Sequence, residues 1–163
     1  MKAKTKCALW CLMLVLFCTG VLQAQNKKSG NGYACVEPNA ESLCTTANTC
    51  GANGGACAVD VKRDSYGTAV TPNNPGAKKN ELFCVKAGTQ VNFDTSSKNT
   101  GYVIDFGPKS PFDREDSIIG GSKKPDSATA KNPGCYRLSA GACVSGAIYG
   151  MCKSQMVEMV VTK

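Results

Sequence analysis

The stretch "LFCVKAGTQVNFDT", residues 82–95, decides the fold. It reads as two short strands around a bend at Ala87–Gly88, with Val91 and Phe93 on one face of the second strand. Upstream, "AVDVK" (58–62) alternates Val59 and Val61 with Asp60 and Lys62, the pattern of a half-buried strand. Between them, "TPNNPGAKKN" (71–80) is a loop by its prolines, glycine and asparagines. Downstream, "GYVIDFG" (101–107) puts Tyr102, Ile104 and Phe106 on one face and Val103 and Asp105 on the other. The stretch 108–133 offers only "SII" (117–119) as a strand and otherwise reads as a long loop. "CYRLS" (135–139) and "MVEMVV" (156–161) close the chain, with Val157, Met159 and Val161 opposite Met156, Glu158 and Val160. Beyond the first 24 residues no segment keeps helical spacing for three turns. Short strands separated by Gly, Pro and Asn turns predict an all-β fold, an antiparallel Greek-key β-sandwich.

The first residues read as a targeting segment. Lys2, Lys4 and Lys6 precede an apolar run, "ALWCLMLVLF" (8–17), too short to span a bilayer and suited to a secretory signal. Cleavage is expected after Ala24, giving a secreted or periplasmic protein. Lipidation at Cys18 is disfavoured by the bulky Phe17 before it. Removing residues 1–24 takes three lysines and no acid, so the formal charge falls from +7 to +4. Lys78–Lys79 and Lys123–Lys124 are isolated pairs, so nothing resembles a nucleic-acid-binding surface.

Eight cysteines then remain of 11: Cys35, Cys44, Cys50, Cys57, Cys84, Cys135, Cys143 and Cys152. An even number in an exported chain points to disulfides, with 105 possible pairings. Four of them crowd into residues 35–57 among Gly, Asn, Ala and Thr, too few large apolar groups to build a core. Crosslinks must hold such a segment. The expected organisation is a signal segment (1–24), a flexible then cysteine-rich segment (25–57) and a sandwich domain (58–163).

Four fragments in their order carry a family resemblance. "VKAGTQVNF" (85–93), "GYVIDFG" followed by "SPF" (110–112), "PGCYRLSA" (133–140) and "MVEMVVTK" (156–163) resemble successive strands of the cupredoxins, the plastocyanin and azurin type of β-sandwich. The similarity covers about half the chain. Copper-binding members hold the metal with two histidines, a cysteine thiolate and usually a weak methionine. This chain has no histidine. Where the resemblance places one, residues 102–110 offer only Asp105 as a strong ligand, and "SGAIYGMCKSQ" (145–155) offers no imidazole. No blue-copper ligand carries over, and no cofactor is expected.

Other chemistries compete with that reading. A sulfur-only Cu(I) site would draw on Met151, Cys152 and Met156, since soft ligands favour Cu(I), and would make the chain a copper-handling or electron-transfer protein. Against it, Cys143 and Cys152 are well placed to close their own loop, and methionines at a core edge usually pack. A zinc module in 35–57 is disfavoured by its cysteine spacing, which holds no C-x-x-C pair. Catalysis without histidine would fall to carboxylates such as Asp113, Glu115 and Asp116 in "FDREDS", but a charged loop is ordinarily just solvated, and no enzyme is expected. Binding or structure remains. The best contact surface is the long loop carrying Phe112, Asp113, Glu115 and Asp116. Its partner would be an extracytoplasmic protein or surface ligand, and no transmembrane span is expected in the mature chain.

Overall fold

The computed structural model describes residues 33–65, 67–144 and 152–163; the expected targeting segment, the polar residues after it and Met151 lie outside these. The described residues form an all-β sandwich. Its strands are β1 (Thr49–Cys50), β2 (Cys57–Arg63), β3 (Thr68–Pro72), β4 (Phe83–Lys86), β5 (Gln90–Asp94), β6 (Thr100–Asp105), β7 (Ile118–Gly121), β8 (Asp126–Thr129), β9 (Gly134–Val144) and β10 (Ser154–Thr162). One sheet runs β1-β4-β10-β9-β6-β7 and the other β3-β2-β5-β8. No helix among the described residues is long and apolar enough to cross a membrane.

The deciding stretch is the corner of the sandwich. β4 belongs to the larger sheet and β5 to the smaller, so the bend between them carries the chain from one layer to the other. Gly88 sits there at φ 85°, a left-handed conformation that a side chain disfavours. Because the chain changes layers, β4 and β5 each meet a strand running in their own direction: β4 pairs β10 and β5 pairs β2, both parallel. The short β1 also pairs β4 in parallel, and the remaining five pairings are antiparallel.

The core fills the gap between the layers. Val59 and Val61 of β2, Val91 and Phe93 of β5, Tyr102 and Ile104 of β6, and Val157, Met159 and Val161 of β10 are buried together. Two side chains stitch the sheets. Tyr102 donates its hydroxyl proton to Phe93 O at 2.6 Å, and buried Thr68 donates to Lys153 O at 2.6 Å while accepting from Ala142 N at 2.8 Å. Burial pushes the Tyr102 phenol above its ordinary value.

The expected antiparallel pairing gives way to mixed sheets, with three parallel pairs, and three further expectations change. The stretch 108–133 holds two strands, β7 and β8; β8 contributes only Ala128 to the core, so its sequence carries no apolar alternation. β3 lies where only its downstream loop was evident. β9 runs on through "SAGAC", whose small residues mask a strand.

All eight cysteines of the described chain are paired: Cys35–Cys135, Cys44–Cys84, Cys50–Cys57 and Cys143–Cys152. The first two tie the cysteine-rich segment across the outward face of the larger sheet. Beneath it, Ala40, Cys84 and Val160 form a second, small buried cluster, bordered by Cys35, Cys44, Leu82 and Cys135.

Candidate functional site

Strand pairing separates Asp105 from Cys143, the cysteine that closes the loop of the sulfur candidates. On antiparallel β6 and β9, Asp105 lies opposite Ser139 while Gly101 lies opposite Cys143. Asp105 and Cys143 therefore sit at opposite ends of β6, ~13 Å apart along the strand. The Asp105 carboxylate is also occupied: it accepts hydrogen bonds from the Tyr33 hydroxyl and, at 3.0 Å, from Gly107 N. The bond to Asp105 raises the Tyr33 phenol above its ordinary value. The Tyr33 ring covers Gly107, where a Cβ would meet it at 2.6 Å.

The sulfur candidates are not assembled either. Cys152 is bonded to Cys143, and Met151 lies outside the described residues. Met156 pairs with Ser139, level with Asp105 and four residues along β9 from Cys143. Met159 is fully buried in the core.

Among the described residues, one group has the spacing of a metal site, Cys35, Cys135 and Glu158, with candidate ligand atoms within 4.8 Å of one another. Its atoms already have work. The two sulfurs are joined, and the Glu158 carboxylate accepts from Val36 N at 2.5 Å and Glu37 N at 3.3 Å. It is a fastening for the cysteine-rich segment on β10.

The acidic loop is divided by the fold. Phe112 is buried, stacked edge-on against Phe93 and Phe106 at 5.8 and 5.7 Å between ring centroids. It is a core residue and offers no contact surface, because the loop folds back to bridge Ala130. The Asp113 carboxylate accepts from Thr129 N at 3.0 Å, which holds its carboxyl below the usual range. Arg114 reaches Asp116 at 2.5 Å and Asp126 at 3.0 Å; this keeps the guanidinium firmly charged and lowers Asp116. Asp113 and Glu115 border a shallow cleft of about 450 Å³, whereas Asp116 does not. A depressed Asp113 is shifted in the wrong direction for a general acid.

Sequence reasoning missed a different surface. Ile119 of β7 and Val103 of β6 are register partners, 64% and 40% exposed, on the outward face of the larger sheet. With exposed Lys123 and Lys124 beside them, they lie at the free end of that sheet. The signal was the unexplained outward Val103 in "GYVIDFG"; its partner could not be known without the register.

No family model and no curated protein matches the chain. Among solved structures, it is similar to a chain from a cryo-EM structure of a heme-copper terminal oxidase dimer, at 12% identity over 98% of each chain with a TM-score of 0.40. A likeness at that level carries no inference about this chain.

Proposed function

We propose that the chain is an exported binding or structural module built on a cupredoxin-like sandwich without a blue-copper site. The strand order supports the frame. The "VKAGTQVNF" stretch turns from one sheet to the other, and "GYVIDFG", "CYRLS" and "MVEMVV" lie side by side as β6, β9 and β10. The observation that carries the reading is the state of the donors. The chain has no histidine, and all eight described cysteines are spent in disulfides, leaving no thiolate among the described residues. These residues do not fit a blue-copper ion, which needs imidazole and thiolate together.

Mass-spectrometric disulfide mapping with metal analysis of the mature protein tests this. Four crosslinks and no stoichiometric copper are expected. Copper retained as Cu(I), and lost when Met151 and Met156 are both changed to Leu, would replace this reading with a copper-handling one.

A further inference from the structure

Sheet edges are open templates for pairing, and most edges here are closed by local devices. Beside β3, the Asn80 side chain accepts from Val70 N at 2.7 Å and donates to Thr68 O at 3.2 Å. Beside β8, the Asp113 segment binds Thr129 through backbone and carboxylate, each at 3.0 Å. β1 is only two residues long.

β7 differs. Ser122 N donates inward to Thr100 O at 2.9 Å, so by alternation Gly120 also faces β6, while Ile119 and Gly121 turn their N–H and C=O groups off the sheet. Gly121 uses both groups with Lys124, at 2.9 Å each way. Ile119 is left with its N–H and C=O on an open edge among the described residues, beneath a side chain that is 64% exposed.

Charge tells what the edge fits. The chain enters β7 through exposed Glu115 and Asp116 and leaves it through exposed Lys123 and Lys124. No described residue forms an ion pair with Glu115, Lys123 or Lys124. A strand of opposite direction with the same charge order is complementary to this one, and the chain itself supplies it. We propose that β7 pairs antiparallel with β7 of a second copy, about a two-fold axis at Ile119. There the two Ile119 residues exchange their N–H···O=C bonds, their side chains meet and join the outward Val103–Ile119 pairs of both copies into one apolar strip, and each Glu115 faces the partner copy's Lys123. The lateral turn at Lys124 limits the ladder to this one bonded pair, so the dimer is weak and exchanges quickly. This pairing goes beyond the proposed function and does not depend on the metal question.

Sedimentation equilibrium of the mature protein tests it, with amide spectra confirming that each variant is folded. The expected result is a monomer–dimer equilibrium that Ile119→Lys weakens at least tenfold. Glu115→Lys and Lys123→Glu each weaken it several-fold by creating like-charge contacts. The two single variants mixed, or both changes in one chain, restore it, because each contact is again between opposite charges. A monomer at every concentration up to about 1 mM would overturn the proposal, as would a dimer indifferent to Ile119→Lys or a charge swap that fails to restore pairing.

Discussion

Strand β10 is buried on both faces, but by different means. Inward, Val157, Met159 and Val161 join a core fed by every strand from β2 to β10. Outward, Val160 is buried in a cluster that contains only Ala40 and Cys84 besides itself, with cysteines along its border. The inner face is closed by side-chain volume and the outer one by covalent ties. A segment whose apolar content cannot offset its own ordering entropy can still cover a sheet when its ends are fixed elsewhere.

The inner face should be the more sensitive to lost volume. Phe93 is fully buried and carries the Phe112 ring against its own. Phe93→Ala should cost about 3–5 kcal/mol, as read from urea transitions. An effect below about 1 kcal/mol would mean that the crosslinks rather than the core hold the sandwich.

The outer face should answer to its ties instead. Cys44–Cys84 spans 40 residues and anchors the segment to β4. Changing both cysteines to Ala should lower stability by about 2–4 kcal/mol, chiefly by freeing the unfolded chain. The sandwich amides should keep their hydrogen-exchange protection while those of residues 40–48 lose theirs. Collapse of both regions together would show that the two faces are one cooperative unit.

A smaller cut separates the regions further. Glu158 holds Val36 and Glu37 by their backbone N–H groups. Glu158→Ala should cost about 1–2 kcal/mol and speed exchange at those two amides, leaving β10 amides unchanged.

The inner region was the legible one, for a physical reason. Alternation survives in sequence wherever one face of a strand meets the core and the other meets water, as in "AVDVK" and "GYVIDFG". It is lost in β8, where one small residue faces inward, and in the "SAGAC" half of β9, where Ala and Gly fill a narrow space. The cysteine-rich segment was legible as crosslinked, but not as a cover, because its partners Cys84 and Cys135 lie in the sandwich strands. The surface was least legible. Phe112 reads as part of a contact loop beside three acids yet packs inward, and the "SII" signal does not say which way Ile119 points. A loop that folds back and a strand that ends a sheet decide those two positions, and neither event leaves a local pattern.

Acid should act on the sandwich edge at Asp113. Asp113 is ionised while it accepts from Thr129 N, and that bond holds its carboxyl below the ordinary value. A group depressed in the folded state adds stability above its unfolded pKa and loses it as pH falls through its folded one. The wild type should therefore be slightly more stable than Asp113→Asn at about pH 5, and the gap should close by about pH 2 as the carboxylate takes up its proton. Because the carboxylate is exposed, water screens it and the difference stays small. Paired urea midpoints across that range are the measurement. A gap that stays constant with pH would mean that the amide introduced by Asp113→Asn disturbs the Thr129 contact by shape alone, and that the edge of β8 is closed by its backbone bridge without help from charge.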